Sequence, residues 1–175
     1  GLNALHYACA GGHASVAQYL IENGVAIDRT GHESDTPILY AAQNGNLETI
    51  KLLVENGSNK YKQKNAKRSP LIEAAKFGHV DVIKYFVSKG ADINMKNSAG
   101  ESVLSVATDS ENIEVLKYLV KEKAMILPSY KVQQLLRKSL NEGDFDFMAY
   151  LYKQFSPLNK TQSDYLLSNF YHPWD

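Results

Sequence analysis

Three residues near the start of the chain have the side-chain types of a thiol nucleophile and its base: Cys9, with His6 three residues before it and His13 four residues after. A cysteine protease or transferase would need that thiol exposed, an imidazole aimed at it and a third group orienting the imidazole. Four carboxylates, Asp35, Glu73, Glu101 and Asp109, could line one surface, yet they have no evident proton-transfer partner. The five histidines, His6, His13, His32, His79 and His172, are spread along the chain without paired metal-ligand spacing. Gly11-Gly12 belongs to no G-x-G-x-x-G or P-loop pattern. Two Asn-x-Ser/Thr triplets, Asn56-Gly57-Ser58 and Asn159-Lys160-Thr161, read as coincidences in an intracellular chain. The chemistry-bearing types are present, but no catalytic site, metal site or cofactor site is expected.

A repeat explains most of these positions. Stepping by 33 residues from Thr36-Pro37 gives Ser69-Pro70 and Ser102-Val103 downstream and Asn3-Ala4 upstream. The same step joins Ala8, Ala41, Ala74 and Ala107, then Gly12, Gly45 and Gly78 with Glu111, and Gly24, Gly57 and Gly90 with Lys123. Cys9 then holds a small-residue position, His6 a position in the first helix, and His13 the loop position shared by His79. A period in this range means stacked supersecondary units whose core is a stripe between neighbours.

The pattern is best seen in Ser69-Pro70-Leu71, Ala74-Ala75, Gly78-His79 and Gly90-Ala91-Asp92-Ile93-Asn94. With its T-P-L-H-x-A-A, G-H and G-A-D-x-N elements, this sequence resembles the ankyrin repeat. The motif histidine survives only as His6, with Leu39, Ile72 and Ser105 at the matching sites, and the late glycines are replaced by Glu111 and Lys123. The resemblance implies an all-α solenoid of stacked helix-turn-helix units with projecting β-hairpin loops.

Each unit is expected to start a short first helix at the Thr-Pro position, where a hydroxyl can cap free N–H groups and proline fits the first turn. A longer second helix follows, as in Leu47, Ile50, Leu53 and Val54, which share a face while Glu48, Lys51 and Glu55 turn outward. Val80, Ile83, Phe86 and Val87 repeat that face, as do Ile113, Leu116, Leu119 and Val120. The hairpins fall at 25–35, 58–68 and 91–101. Four repeats cover 1–127, at about 1–30, 31–63, 64–96 and 97–127, the first entered in mid-repeat, so that the chain reads as a fragment. From Ala124 the step becomes 32, which lays Phe145–Tyr152 on Ile113–Val120 and restores Gly143 at the loop. Residues 128–175 then form a degenerate fifth repeat, with Leu135, Leu136 and Leu140 in its first helix, and a closing helix over Thr161 to Phe170.

Formal net charge is zero, so no global field draws the chain to nucleic acid or acidic lipid. Charge is uneven: 58–96 carries nine basic and three acidic side chains, between flanks of two against six and three against five. The basic hairpin Lys60, Lys62, Lys64, Lys67 and Arg68, with Tyr61 interleaved, suits an acidic stretch of a protein partner. Nucleic-acid or lipid binding is the competing use of those cations, and a solvated face the plain one. One cysteine permits no intrachain disulfide and fits a reducing, cytoplasmic setting, with a secreted effector acting inside another cell as the alternative. No apolar run reaches the roughly 18 residues of a membrane span.

What the resemblance implies for function is a monomeric, non-catalytic protein-binding module with a concave face of hairpin tips and first helices. Carried over position by position, that face comprises His32, Glu33, Asp35, Tyr40, Gln43 and Asn44 in repeat two. Repeat three adds Asn65, Ala66, Arg68, Glu73, Lys76 and Phe77, and repeat four Ser98, Glu101, Asp109 and Ser110. Tyr40, Arg68 and Phe77 have the side-chain types that dominate interface energetics. A second reading makes the chain the regulatory or targeting part of a larger enzyme or effector.

Overall fold

The four capping positions of the repeat start helices as the period requires. In the computed structural model, first helices run over Ala4–Ala10 (α1), Pro37–Gln43 (α3), Pro70–Lys76 (α5) and Val103–Asp109 (α7). Second helices follow at Ala14–Glu22 (α2), Leu47–Glu55 (α4), Val80–Ser88 (α6) and Ile113–Lys117 (α8), the last continuing as a π turn over Tyr118–Glu122. Two further helices, Ser129–Glu142 (α9) and Phe145–Phe155 (α10), complete the described chain. The structure describes residues 1–31, 35–59, 61, 67–123 and 125–155. The expected closing helix at 161–170 and Lys60, Lys62 and Lys64 lie outside them.

Of the four first-helix starts, two are capped by side chains. Asn3 and Ser102 each accept the N–H of the residue three on, in reciprocal capping boxes with His6 and Ser105. Thr36 and Ser69 make no such bond, contrary to the expectation for hydroxyls at these sites. The proline that follows each presets the first helical φ, and the Ser69 hydroxyl points instead to Met95 Sδ at 3.6 Å.

Residues 1–119 form one compact unit. Within it the first helices stack as α1 on α3 on α5 on α7, and second helices as α2 on α4 on α6. Close approach is possible because Ala8, Ala41, Ala74 and Ala107 are all buried at the first-helix contacts. Between the rows lie Leu5, Ile38, Leu71 and Val103, facing Ile50, Leu53, Ile83, Phe86 and Leu116, all at or near full burial. Burial also claims a row the periodic reading did not include: Thr49, Val82 and Val115.

The repeat's glycines sit where the backbone is left-handed, Gly90 at φ 88° closing α6. Lys123 replaces it in repeat four, and there the helix does not stop but widens into the π turn. Glu111 takes the place of Gly12, Gly45 and Gly78 and is held at φ 54°, a strained value for a side chain other than glycine. Among the described residues, hairpin pairing consists of the Asn97 N–H donating to the Glu101 carbonyl at 2.9 Å beside a Lys96–Ser102 bridge, and the Gly31 N–H donating to the Asp35 carbonyl at 2.7 Å.

Residues 120–175 form the second unit. In its described part α9 and α10 pack on one another through Val132, Leu135, Leu136, Phe147 and Leu151. Gly143, at φ 73°, ends α9, and Asp144 caps α10 by accepting the Phe147 N–H at 3.0 Å. Leu140, placed from sequence in the same helix as Leu135 and Leu136, lies in α9 and is 37% exposed.

Candidate protein-binding surface

Two ladders, each stepping by the repeat length, run along the junction of hairpins and first helices. One holds the residue before each helix cap: Leu2, Asp35, Arg68 and Glu101. The other lies five residues on: Tyr7, Tyr40, Glu73 and Val106. Rungs of both ladders converge on Arg68. Its Nη1 donates to Asp35 Oδ2 at 2.8 Å, Nε to Glu73 Oε1 at 3.1 Å, and Nη2 to Gln43 Oε1 at 2.9 Å. Tyr40 completes the cluster by donating its hydroxyl to the same Asp35 Oδ2 at 3.1 Å.

The side chains of Asp35 and Glu73 are only 10% and 11% exposed, and that of Arg68 26%. Two nearly buried carboxylates therefore share one cation that spans repeats two and three. Hydrogen bonding to Glu73, opposed by partial burial, holds the guanidinium above its ordinary pKa. Burial and the bond to Asp35 push the Tyr40 phenol up. Asp35 Oδ1 is buried and has no hydrogen-bond partner among the described residues. Behind the cluster His6 packs edge-on against Tyr40, with ring centroids 5.9 Å apart, and its Nε2 lies 3.3 Å from the Asp35 carbonyl.

The remaining residues of the expected face divide by exposure. Asn44, Lys76, Asp109 and Ser110 are exposed at the ends of the first helices, and Phe77 is 47% exposed. Tyr7, the repeat-one counterpart of Tyr40, is 66% exposed. Glu101 and Ser98 are exposed in the last hairpin, where Glu101 accepts from Asn97 Nδ2 at 2.6 Å. His32, Glu33, Asn65 and Ala66 lie outside the described residues. The structure thus joins Asp35, Tyr40, Gln43, Arg68 and Glu73 into one network and leaves the helix-end residues open to solvent.

A set of braces supports this face, and sequence reading passed over two of its members. Asn46 Nδ2 donates to the Cys9 and Ala10 carbonyls at 2.9 and 3.0 Å. Asn112 Nδ2 does the same to Ala75 and Lys76 at 3.0 and 2.6 Å, and His79 Nε2 donates to the Gln43 carbonyl at 3.0 Å. Each satisfies the otherwise free carbonyls at the end of the preceding repeat's first helix. The recurrence of Asn or His one residue after the loop glycine was the available signal.

The other candidates resolve structurally. Cys9 is fully buried, and that burial pushes its thiol up to about 12, far from a thiolate nucleophile. Burial likewise lowers the pKa of His6. Tyr61 is no open stacking platform: it is buried and stacked on Phe86, with centroids 5.5 Å apart. Ser58 of the first glycosylation triplet is buried and donates to Asp28 Oδ1 at 2.6 Å. Among the described residues no cluster of metal-ligating side chains occurs, and no helix is long and apolar enough to cross a membrane.

No curated protein matches the chain. The ankyrin-repeat family matches it in three copies over residues 1–64 and 51–129. The crystal structure of the human ASB11 ankyrin repeat domain is similar at a TM-score of 0.65 and 28% identity, over 69% of this chain and 54% of that one. The chain therefore spans about half the length of that domain. Ankyrin repeats are in general protein-interaction modules without catalytic function, and the stacked units, their buried alanine contacts and these matches together establish that this chain belongs to the ankyrin-repeat family.

Proposed function

We propose that the chain is a non-catalytic module that binds a protein partner through the face made by its first helices and hairpin tips. The observation that carries this reading is the contrast along that face. Framework positions are buried and alike from repeat to repeat, whereas Tyr7, Asn44, Lys76, Phe77, Asp109 and Ser110 differ in type and stand exposed. Exposed aromatic and charged groups on a rigid scaffold are suited to recognition.

The Arg68 cluster changes how its members take part. Asp35, Glu73 and Gln43 already occupy one guanidinium, so Arg68 is a positioning residue that fixes Tyr40 and the start of α3 relative to α5. Arg68 is thereby withdrawn from the contact with an acidic stretch of the partner that the composition of residues 60–68 suggests. Residues 128–175 serve in this account as a degenerate fifth repeat and a closing helix.

The test is site-specific photocrosslinking in the native cell, with the crosslinker in place of Phe77 or Tyr7 and, as control, of Glu114 on the second-helix side. Capture of one partner from the first two positions and not from the third is expected. Equal capture from all three would remove the face assignment.

A further inference from the structure

On the opposite side of the stack, a groove of about 490 Å³ opens between α2 and α4. Ala14, Ser15 and Gln18 line one wall, and Lys51, Leu52 and Glu55 the other. The repeat register shows why the space exists. Ala14 stands where α4 and α6 carry Leu47 and Val80, and Leu52 stands where the two following repeats carry Tyr85 and Tyr118.

Those later repeats show what such a position holds when filled. Between repeats three and four, Lys84 Nζ lies 5.2 Å from the Tyr118 ring centroid, so a lysine of one repeat covers a tyrosine of the next. Between repeats two and three the equivalent residues are Lys51 and Tyr85; burial, and after it the charge of Glu55, pushes the Tyr85 phenol up, and its hydroxyl has no hydrogen-bond partner among the described residues. Between repeats one and two the equivalents are Gln18 and Leu52. Gln18 turns away, its Nε2 donating to Glu22 Oε1 at 2.6 Å, and no ring is supplied. Lys51 and Glu55 are thus flanked by a phenol on the α6 side and by open groove on the α2 side.

We infer that this groove is a second binding site, which seats a tyrosine side chain presented by a protein partner. The ring packs on Leu52 and Ala14, and the hydroxyl donates to Glu55, while Lys51 and Glu48, which also line the groove, pair with each other at 2.7 Å. The walls fit a side chain that is apolar in its body and polar at its tip, which phenylalanine and lysine each satisfy only in part. The site lies on the second helices and stands whether or not the first-helix face binds the same partner.

The test is an amide chemical-shift titration of the full chain with N-acetyltyrosinamide, beside N-acetylphenylalaninamide and N-acetyllysinamide. Tyrosinamide should move the amides of Ser15, Gln18, Leu52 and Glu55, and Glu55→Gln should weaken the effect about fivefold by replacing a charged acceptor with a neutral one. Leu52→Tyr, which supplies the ring from within, should abolish it. If that variant loses the native spectrum, Ala14→Leu fills the same space from the other wall and is read instead. Unmoved amides, equal shifts with either of the other two probes, or shifts that survive in a folded filled variant would overturn the inference.

Discussion

Thr49 is 1% exposed on α4, and its hydroxyl oxygen is buried without a hydrogen-bond partner among the described residues. Thr108 shows the usual remedy, donating to the Leu104 carbonyl at 2.7 Å one turn back. In the other repeats the Thr49 position is Val16, Val82 and Val115. Thr49→Val keeps the side-chain shape, removes a desolvated hydroxyl and adds a methyl group to a buried row. An unsatisfied buried polar group costs about 1–3 kcal/mol, so the variant should be more stable by about 1–2 kcal/mol. For a unit of this size that corresponds to a melting temperature higher by about 2–4 °C per kcal/mol. Urea unfolding followed by circular dichroism should show a higher midpoint at an unchanged slope. The reciprocal Val82→Thr should lower the midpoint by a comparable amount. A midpoint of Thr49→Val at or below that of the parent would refute the reasoning, since it would mean that the hydroxyl makes a stabilising bond.

Other predictions rest on the same structure. Arg68→Met leaves two nearly buried carboxylates without their cation and should destabilise by on the order of 2 kcal/mol, below the full buried-pair value because Arg68 is partly exposed; chemical unfolding reads it. Burial lowers the pKa of His6 below its ordinary 6.5, so the unfolded chain takes up the proton first and stability should fall as pH drops below about 6.5. His6→Leu, which copies Leu39 of repeat two, should flatten that part of the pH profile of the urea midpoint. The Cys9 thiol should resist a disulfide reagent in buffer and react promptly in urea.

Most of the fold was legible because the repeat imposes it. Thr36-Pro37, Ser69-Pro70 and the alanine row place every first helix, and the apolar spacing of Ile50 with Leu53 places the second ones. What escaped were features that depend on three-dimensional neighbours. Thr49, Val82 and Val115 went unmarked because they lie beside the apolar stripe taken as the core face, although stacking of neighbouring repeats buries them too. Arg68 read as an open cation, yet Asp35 lies one repeat earlier on the same ladder, and stacking brings the two to 2.8 Å. The lost glycines at 111 and 123 signalled drift, but their outcomes, a strained glutamate and a π turn, follow from how the chain continues there.

The central claim is that recognition belongs to the first-helix face. Its most direct measurement compares partner crosslinking from position 77 with that from position 114 in a chain carrying the Thr49→Val change, so that folding is not in question. One partner is expected to be captured from position 77 and none from position 114. Capture from position 114 alone would contradict it.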